Sequence, residues 1–238
     1  MSRRWVGVIG GVGPAATAYF LDMVVRLTAA DRDQDHLDMV VLDHASIPDR
    51  TAFILGTSDE DPGPVMADDA RRLAAFGVDL LVLPCNTAHH FTQEITDAVD
   101  VPLLNIVTET VAEVARRVPD VRAVGVLATS GTVHAGVYQR ALAAVGARCV
   151  LPDDAAQDAL MRIIYEQVKA GRPVDVAAFR GIVATLREQG AQAVVLGCTE
   201  LSVIAADVDL LAEDPTLVDS LDVLARRTIE SAGGTVRG

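Results

Sequence analysis

The chain repeats itself, and the repeat limits its fold more than any other feature. "VGVIGGVGPAATAYF" begins at Val6, and "VGVLATSGTVHAGVY" begins at Val124. Each reads as an apolar strand, a turn of small residues and the opening of a helix. A second pair accompanies the first, one member in each half: "LVLPCNTA" around Cys85 and "VVLGCTEL" around Cys198. A strand unit followed by a cysteine-bearing strand unit therefore occurs twice. Strand-like runs fall at 5–10, 37–43, 78–83, 101–107, 123–128, 147–150 and 191–196. Stretches such as "MADDARRLAAF" and "VYQRALAAVG" lie between them and read as helices. Several of these helices should stop at a glycine: Gly77, Gly146 and Gly190. The strands are continuously apolar rather than alternating, which means burial on both faces and parallel pairing. The expected fold is α/β, with two similar Rossmann-like lobes, each built on a parallel sheet. The first lobe is read as 1–103 plus 216–238 and the second as 104–215. A C-terminal helix near 219–232 crosses back to the first.

Hydrophobic residues make up 50% of the 238, enough for a sizeable core, and aromatics only 4%, so that core is mostly Val, Leu, Ile and Ala. The net charge of −13 argues against nucleic acid or an anionic membrane surface as a partner. No apolar run approaches the 18 residues of a membrane span. The opening "MSRRWVGVIGG" is patterned as a strand rather than as a signal peptide. Cys85, Cys149 and Cys198 are too few and too scattered for a disulfide framework, which points to a reducing cytoplasm. They also lack the CxxC spacing of zinc sites, so no metal is expected.

In parallel α/β sheets, ligands bind just beyond the carboxyl ends of the strands. Cys85 and Cys198 both fall there, each before a helix-opening sequence. A helix N-terminus offers unpaired N–H groups and partial positive charge, which should lower a thiol's pKa and attract an anion. Asn86, Thr87, Thr199 and Glu200 add hydrogen-bonding side chains at the same two points. Cys149, in "GARCVLP", has no such context and reads as structural. If the lobes face each other, the two thiols meet in one cleft from opposite sides. One can then take a proton from a tetrahedral carbon while the other returns one to the opposite face. That chemistry needs neither a metal nor a pyridoxal cofactor. The turns after the first strands, with Gly11 in one copy and Thr129 in the other, would let a small anionic ligand approach the backbone. The glycine pattern Gly11-x-Gly13-x-x-Ala16 alone would also fit a nucleotide-binding regulatory protein, but the second copy lacks it. His89 could help Cys85 electrostatically, and Glu200 could orient a neighbour of Cys198.

Together, "IGGVGPAAT", "IPDRT", "PCNTAHHF", "LATSGT", "YEQVKAG" and "LGCTELS" resemble the aspartate racemase branch of the aspartate/glutamate racemase superfamily. The resemblance implies two lobes related by a pseudo-twofold axis, an active site in the cleft between them, and independence from pyridoxal phosphate and metal. It implies that Cys85 and Cys198 are the acid/base pair. It also implies that Arg50 and Lys169 hold the carboxylates of an anionic amino acid, that Asn86, Thr87 and Thr199 contact the substrate, and that the protein is a homodimer. Aspartate is the expected substrate. Alternatives within the superfamily are a glutamate or broad-specificity amino-acid racemase, a hydantoin racemase and a maleate isomerase. Asp43 stands where the branch often carries asparagine, and a desolvated carboxylate there would repel an anionic substrate.

Overall fold

The computed structural model describes residues 4–207 and 210–238. The chain divides into two compact units, the first made of residues up to Ile106 together with Leu221–Gly238, the second of Val107–Ser220. In the first unit the elements run β1 (Val6–Gly10), α1 (Pro14–Leu27), β2 (Met39–Asp43), α2 (Arg50–Ile54), α3 (Gly63–Phe76), β3 (Leu80–Val82), α4 (Thr92–Ala98) and β4 (Leu103–Leu104). From Val107 the second unit takes in the rest of α5 (Ile106–Arg117) and β5 (Ala123–Leu127), then α6 (Ser130–Ala135), α7 (Val137–Ala144) and β6 (Arg148–Val150). It continues through α8 (Asp154–Arg162), α9 (Val176–Glu188), β7 (Ala193–Leu196), α10 (Thr199–Asp207), α11 (Leu210–Glu213) and β8 (Leu217–Asp219). The last helix, α12 (Ser220–Ser231), carries the chain back to the first unit. There the tail is held by the Ala29 amide donating to the Thr235 carbonyl and by an antiparallel bridge between Thr28 and Val236.

Each unit contains a four-stranded parallel sheet, with orders β2-β1-β3-β4 and β6-β5-β7-β8. The internal repeat in the sequence is thus a repeat of topology. In both sheets the first strand is central and is paired with the strand that precedes a cysteine. The strand sequences explain the arrangement. VGVIG, AVGVL, LLV and AVVL are buried at every position, as two-sided burial of a parallel sheet requires. β2 is equally apolar but only half-buried, because it is an edge strand. Chain turns at Gly77, Gly146 and Gly190 all have positive φ, at the helix ends where the sequence asks for glycine.

Three features depart from the sequence reading. The run 101–107 forms a strand of only two residues, because Ile106 already begins α5. β8 was not anticipated: "LVD" is three residues long and runs straight into a helical sequence, which masks its strand character. The long segment between β2 and α3 holds a short helix, α2, capped by the Asp49 carboxylate accepting from the Ala52 amide at 2.8 Å. No described helix is long and apolar enough to cross a membrane.

Candidate active site

In the first unit Cys85 lies just past β3, with 7% of its surface exposed. It packs among Ile9, Val12, Ile47, Met66 and Phe91. The segment after Cys85 is not the α-helix that its sequence suggests. Thr87–Phe91 form a short 3₁₀ turn, and Asn86 precedes it without a side-chain cap. So short a turn has few aligned peptide dipoles to act on the thiol. Asn86 and Thr87 are both buried beside it. His89 is fully buried and braces the loop. Its Nδ1–H donates to the Cys85 carbonyl at 2.8 Å, and its Nε2 accepts from the Ile106 amide at 3.2 Å. The ring therefore bonds the backbone of Cys85 rather than its sulfur. Burial holds its pKa down to about 4, so it is a neutral brace at ordinary pH. His90 is exposed, edge-on to Phe91.

Gly11 follows β1 at the same end of the sheet. Its φ is +81°, and a Cβ there would lie 2.2 Å from the His44 carbonyl carbon, so only glycine fits. Arg50 begins α2. It is 8% exposed, unusually low for an arginine, and its Nη1 donates to the carbonyls of Ile47 and Pro48. Its buried Nε has no hydrogen-bond partner among the described residues. A buried guanidinium with a vacant donor is costly by itself and suits an anion. Asp43 is exposed, so water screens the charge that the sequence reading set against an anionic substrate.

In the second unit Cys198 lies just past β7 and directly before α10, with 5% exposure. Here the thiol does meet a helix start, yet its pKa is not lowered. Burial pushes it well above the ordinary thiol range, and the Glu200 carboxylate pushes it further, against a smaller opposing pull from Lys169. The sulfur donates to Glu200 Oε2 at 3.0 Å, and the Thr199 hydroxyl donates to the same oxygen at 3.2 Å. Lys169 Nζ stands 3.8 Å from Glu200 Oε1 and 4.2 Å from the centre of the Tyr165 ring. Desolvation and a fixed carboxylate outweigh the helix dipole, and Cys198 is held as a thiol.

Thr129, after β5, uses its hydroxyl to cap α6 by accepting from the Thr132 amide at 3.2 Å. Cys149 is half-buried on edge strand β6, and burial lifts its pKa to about 11.

Three features of these sites escape a reading of the sequence. Lys169 directly follows a π-helical turn, Ile163–Val168. Such turns often mark functional positions, but "IIYEQV" carries no signal for one. Near Cys198 lies a buried polar layer: Ser202 donates to Asp219 at 2.6 Å, and Ser220 donates to the Leu196 carbonyl at 2.7 Å. The "DS" pair where β8 meets α12 is its visible sign in the sequence. In the first unit, His44 Nδ1 lies 2.7 Å from the carboxylate of Asp69, an acid buried on α3. Among the described residues, no group of three or more His, Cys, Asp or Glu side chains could hold a metal ion.

Comparison with known proteins identifies the family and the fold. The Asp/Glu/Hydantoin racemase family model matches residues 9–228. The broad specificity amino-acid racemase RacX of Bacillus subtilis is 30% identical over 233 residues, covering 95% of this chain and 97% of that protein. Among solved structures, the aspartate racemase of Picrophilus torridus superposes with a TM-score of 0.82 at 28% identity, covering 98% of this chain and 96% of the other. An aspartate racemase homologue from Pyrococcus horikoshii superposes with a TM-score of 0.76 at 26% identity, over 97% and 99% of the two chains. A family match across nearly the whole chain, on two sheets of one topology with a cysteine after the third strand of each, decides the matter: the chain belongs to the Asp/Glu/Hydantoin racemase family and is an isomerase, a racemase.

Proposed function

We propose that the protein racemises an acidic amino acid, aspartate, by two-base proton exchange between Cys85 and Cys198. The observation that carries the reading is the matched position of the two thiols, each just past the strand that pairs with the first strand of its sheet. In the forward direction Cys85 takes the Cα proton and Cys198, held as a thiol against Glu200, delivers its proton to the opposite face of the carbanion. The product is the enantiomer, with the proton now on Cys85 and the negative charge on Cys198. The reverse reaction starts from that state. No electrons leave the substrate, and no group is transferred.

Arg50 and Lys169 serve the carboxylates. Arg50 offers the vacant buried Nε, and Lys169 brings an ammonium near the Cys198 thiol, where it also offsets charge left on that sulfur. Two cations suit a substrate with two carboxylates. The similarity to solved aspartate racemases adds weight to aspartate, and the likeness to a broad specificity enzyme makes side-chain range the quantity to measure.

The test is incubation with L-aspartate in heavy water with no cofactor added. The expected result is deuterium at Cα together with decay of optical rotation to zero. Racemisation of another amino acid with aspartate untouched would revise the substrate. No exchange with any amino acid would end the proposal.

A further inference from the structure

α3 buries one face made of Met66, Ala67, Ala70 and Leu73, and Asp69 lies on that same face at 1% exposure. An acid at a core position costs several kcal/mol unless it is paired, and an apolar residue would fill the place without that cost. Such a conflict between sequence pattern and burial is characteristic of functional sites. The Asp69 side chain is held by two others: Arg72 Nη1 at 3.2 Å and His44 Nδ1 at 2.7 Å. His44 is 31% exposed, so the bond runs from the interior out to an imidazole at the carboxyl end of the sheet. Asp69 fixes Nδ1–H as the inward donor and thereby fixes the ring. The contact seen for His44 among the described residues is made through Nδ1 and not through Nε2.

Register places the His44 backbone at the same end of the sheet as Cys85. β1 pairs Gly10 with Asp43 and Val8 with Val82. Continued past the strands, the same registers set Gly11 beside His44 on one side and Cys85 on the other. Contact of the Gly11 Cβ position with the His44 backbone agrees with this. His44 and Cys85 are therefore two strand spacings apart, roughly 10 Å between Cα atoms. His44 also shares a tight loop with Arg50: the Ile47 amide donates to the His44 carbonyl, and the Ile47 carbonyl accepts from Arg50.

We infer that His44, oriented by Asp69, is a specificity-determining residue whose Nε2–H, together with Arg50, holds the side-chain carboxylate of the substrate. This rests on the racemase reading above. In the imidazolium form, with Nδ1–H donated to Asp69, the proton on Nε2 would be offered outward to an anion. Arg50 has Nη1 committed to two carbonyls, which fixes the guanidinium and leaves its Nε and Nη2 edge to face an anion. Each carboxylate oxygen can accept a further hydrogen bond, and a donor from His44 adds one from a second side. An amino acid with a neutral side chain leaves that donor unfilled.

The test uses His44→Asn in the full-length chain. The asparagine amide occupies the place of Nδ1, so the bond to Asp69 survives while the Nε2 donor is lost. Asp69→Asn is the second variant; it removes the buried charge but keeps the shape. The expected result for His44→Asn is a fall of about 10- to 100-fold in kcat/KM for aspartate and glutamate, carried mainly by KM, with alanine and serine little changed. Asp69→Asn moves the acidic-to-neutral ratio in the same direction by less. Calorimetric binding of succinate against butyrate supplies a readout without turnover, and succinate should lose its advantage in His44→Asn. An equal fall for all side chains, or an unchanged succinate preference, overturns the inference in favour of a purely structural brace. Wild-type protein that racemises nothing defeats the racemase reading, while succinate binding still reports on His44. Wild-type racemisation with an acidic-to-neutral ratio unmoved by His44→Asn defeats this inference alone.

Discussion

Cys85 and Cys198 occupy the same place in two sheets of one topology, yet their surroundings differ. Cys85 precedes a five-residue 3₁₀ turn and is framed by a neutral, buried histidine that bonds its backbone carbonyl and the Ile106 amide. Cys198 precedes a nine-residue α-helix and donates its proton to a carboxylate. The helix start that should acidify Cys198 is overruled by desolvation and by Glu200. A duplicated fold has thus been given unlike electrostatics at its two matching points. A racemase needs that inequality, because one partner must hold a proton while the other accepts one.

The largest effect should come from removing either thiol. Cys85→Ala and Cys198→Ala should each cut racemisation by about 10²–10⁴-fold, the usual worth of a positioned acid or base. Cys149→Ala should leave the rate nearly unchanged. A chiral assay of all three variants checks this, and substantial racemisation by either of the first two would break the pairing.

The next concerns the brace on the Cys85 side. His89 has a folded pKa of about 4, below its unfolded value near 6.5. Its contribution to stability is therefore full above about pH 6.5 and is lost as pH falls towards 4. The difference is on the order of 3 kcal/mol. Denaturant unfolding at pH 7 and pH 4.5 should show wild type losing more stability on acidification than His89→Gln, which does not titrate. Equal losses would mean that the ring is not the neutral brace described.

The smallest effect sharpens the Cys198 side. Glu200→Gln removes the carboxylate while keeping the shape, so the Cys198 pKa should drop, though burial still holds it above normal. Each unit of pKa is a tenfold change in thiolate. Alkylation of Cys198 by iodoacetamide at pH 8, followed by mass spectrometry, should accelerate by about 10-fold, with Cys85 unchanged. An unaltered Cys198 rate would mean that Glu200 does not keep the thiol protonated.

Much of this molecule is legible in the chain because its signals are local. Continuous apolar runs dictate two-sided burial, terminal glycines stop helices, and the repeated strand–cysteine unit gives two sheets with equal order. Both thiols and the "IPDRT" arginine can be picked out for the same reason: each sits at a boundary between elements that the local pattern marks. β8 is not legible because three residues carry too little periodicity to compete with the helix after them. The π turn before Lys169 is not legible either, because "IIYEQV" reads as ordinary helix.

The sequence by itself determined the two-unit α/β architecture, the family and the positions of the two cysteines, since these depend on neighbours along the chain. Only the folded molecule shows that burial and Glu200 raise the pKa of the Cys198 thiol, that Arg50 is buried with an unfilled donor, and that Asp69 reaches across to His44. Charge states and hydrogen-bond partners depend on distances between residues far apart in sequence and on exclusion of water, and neither is written in residue order.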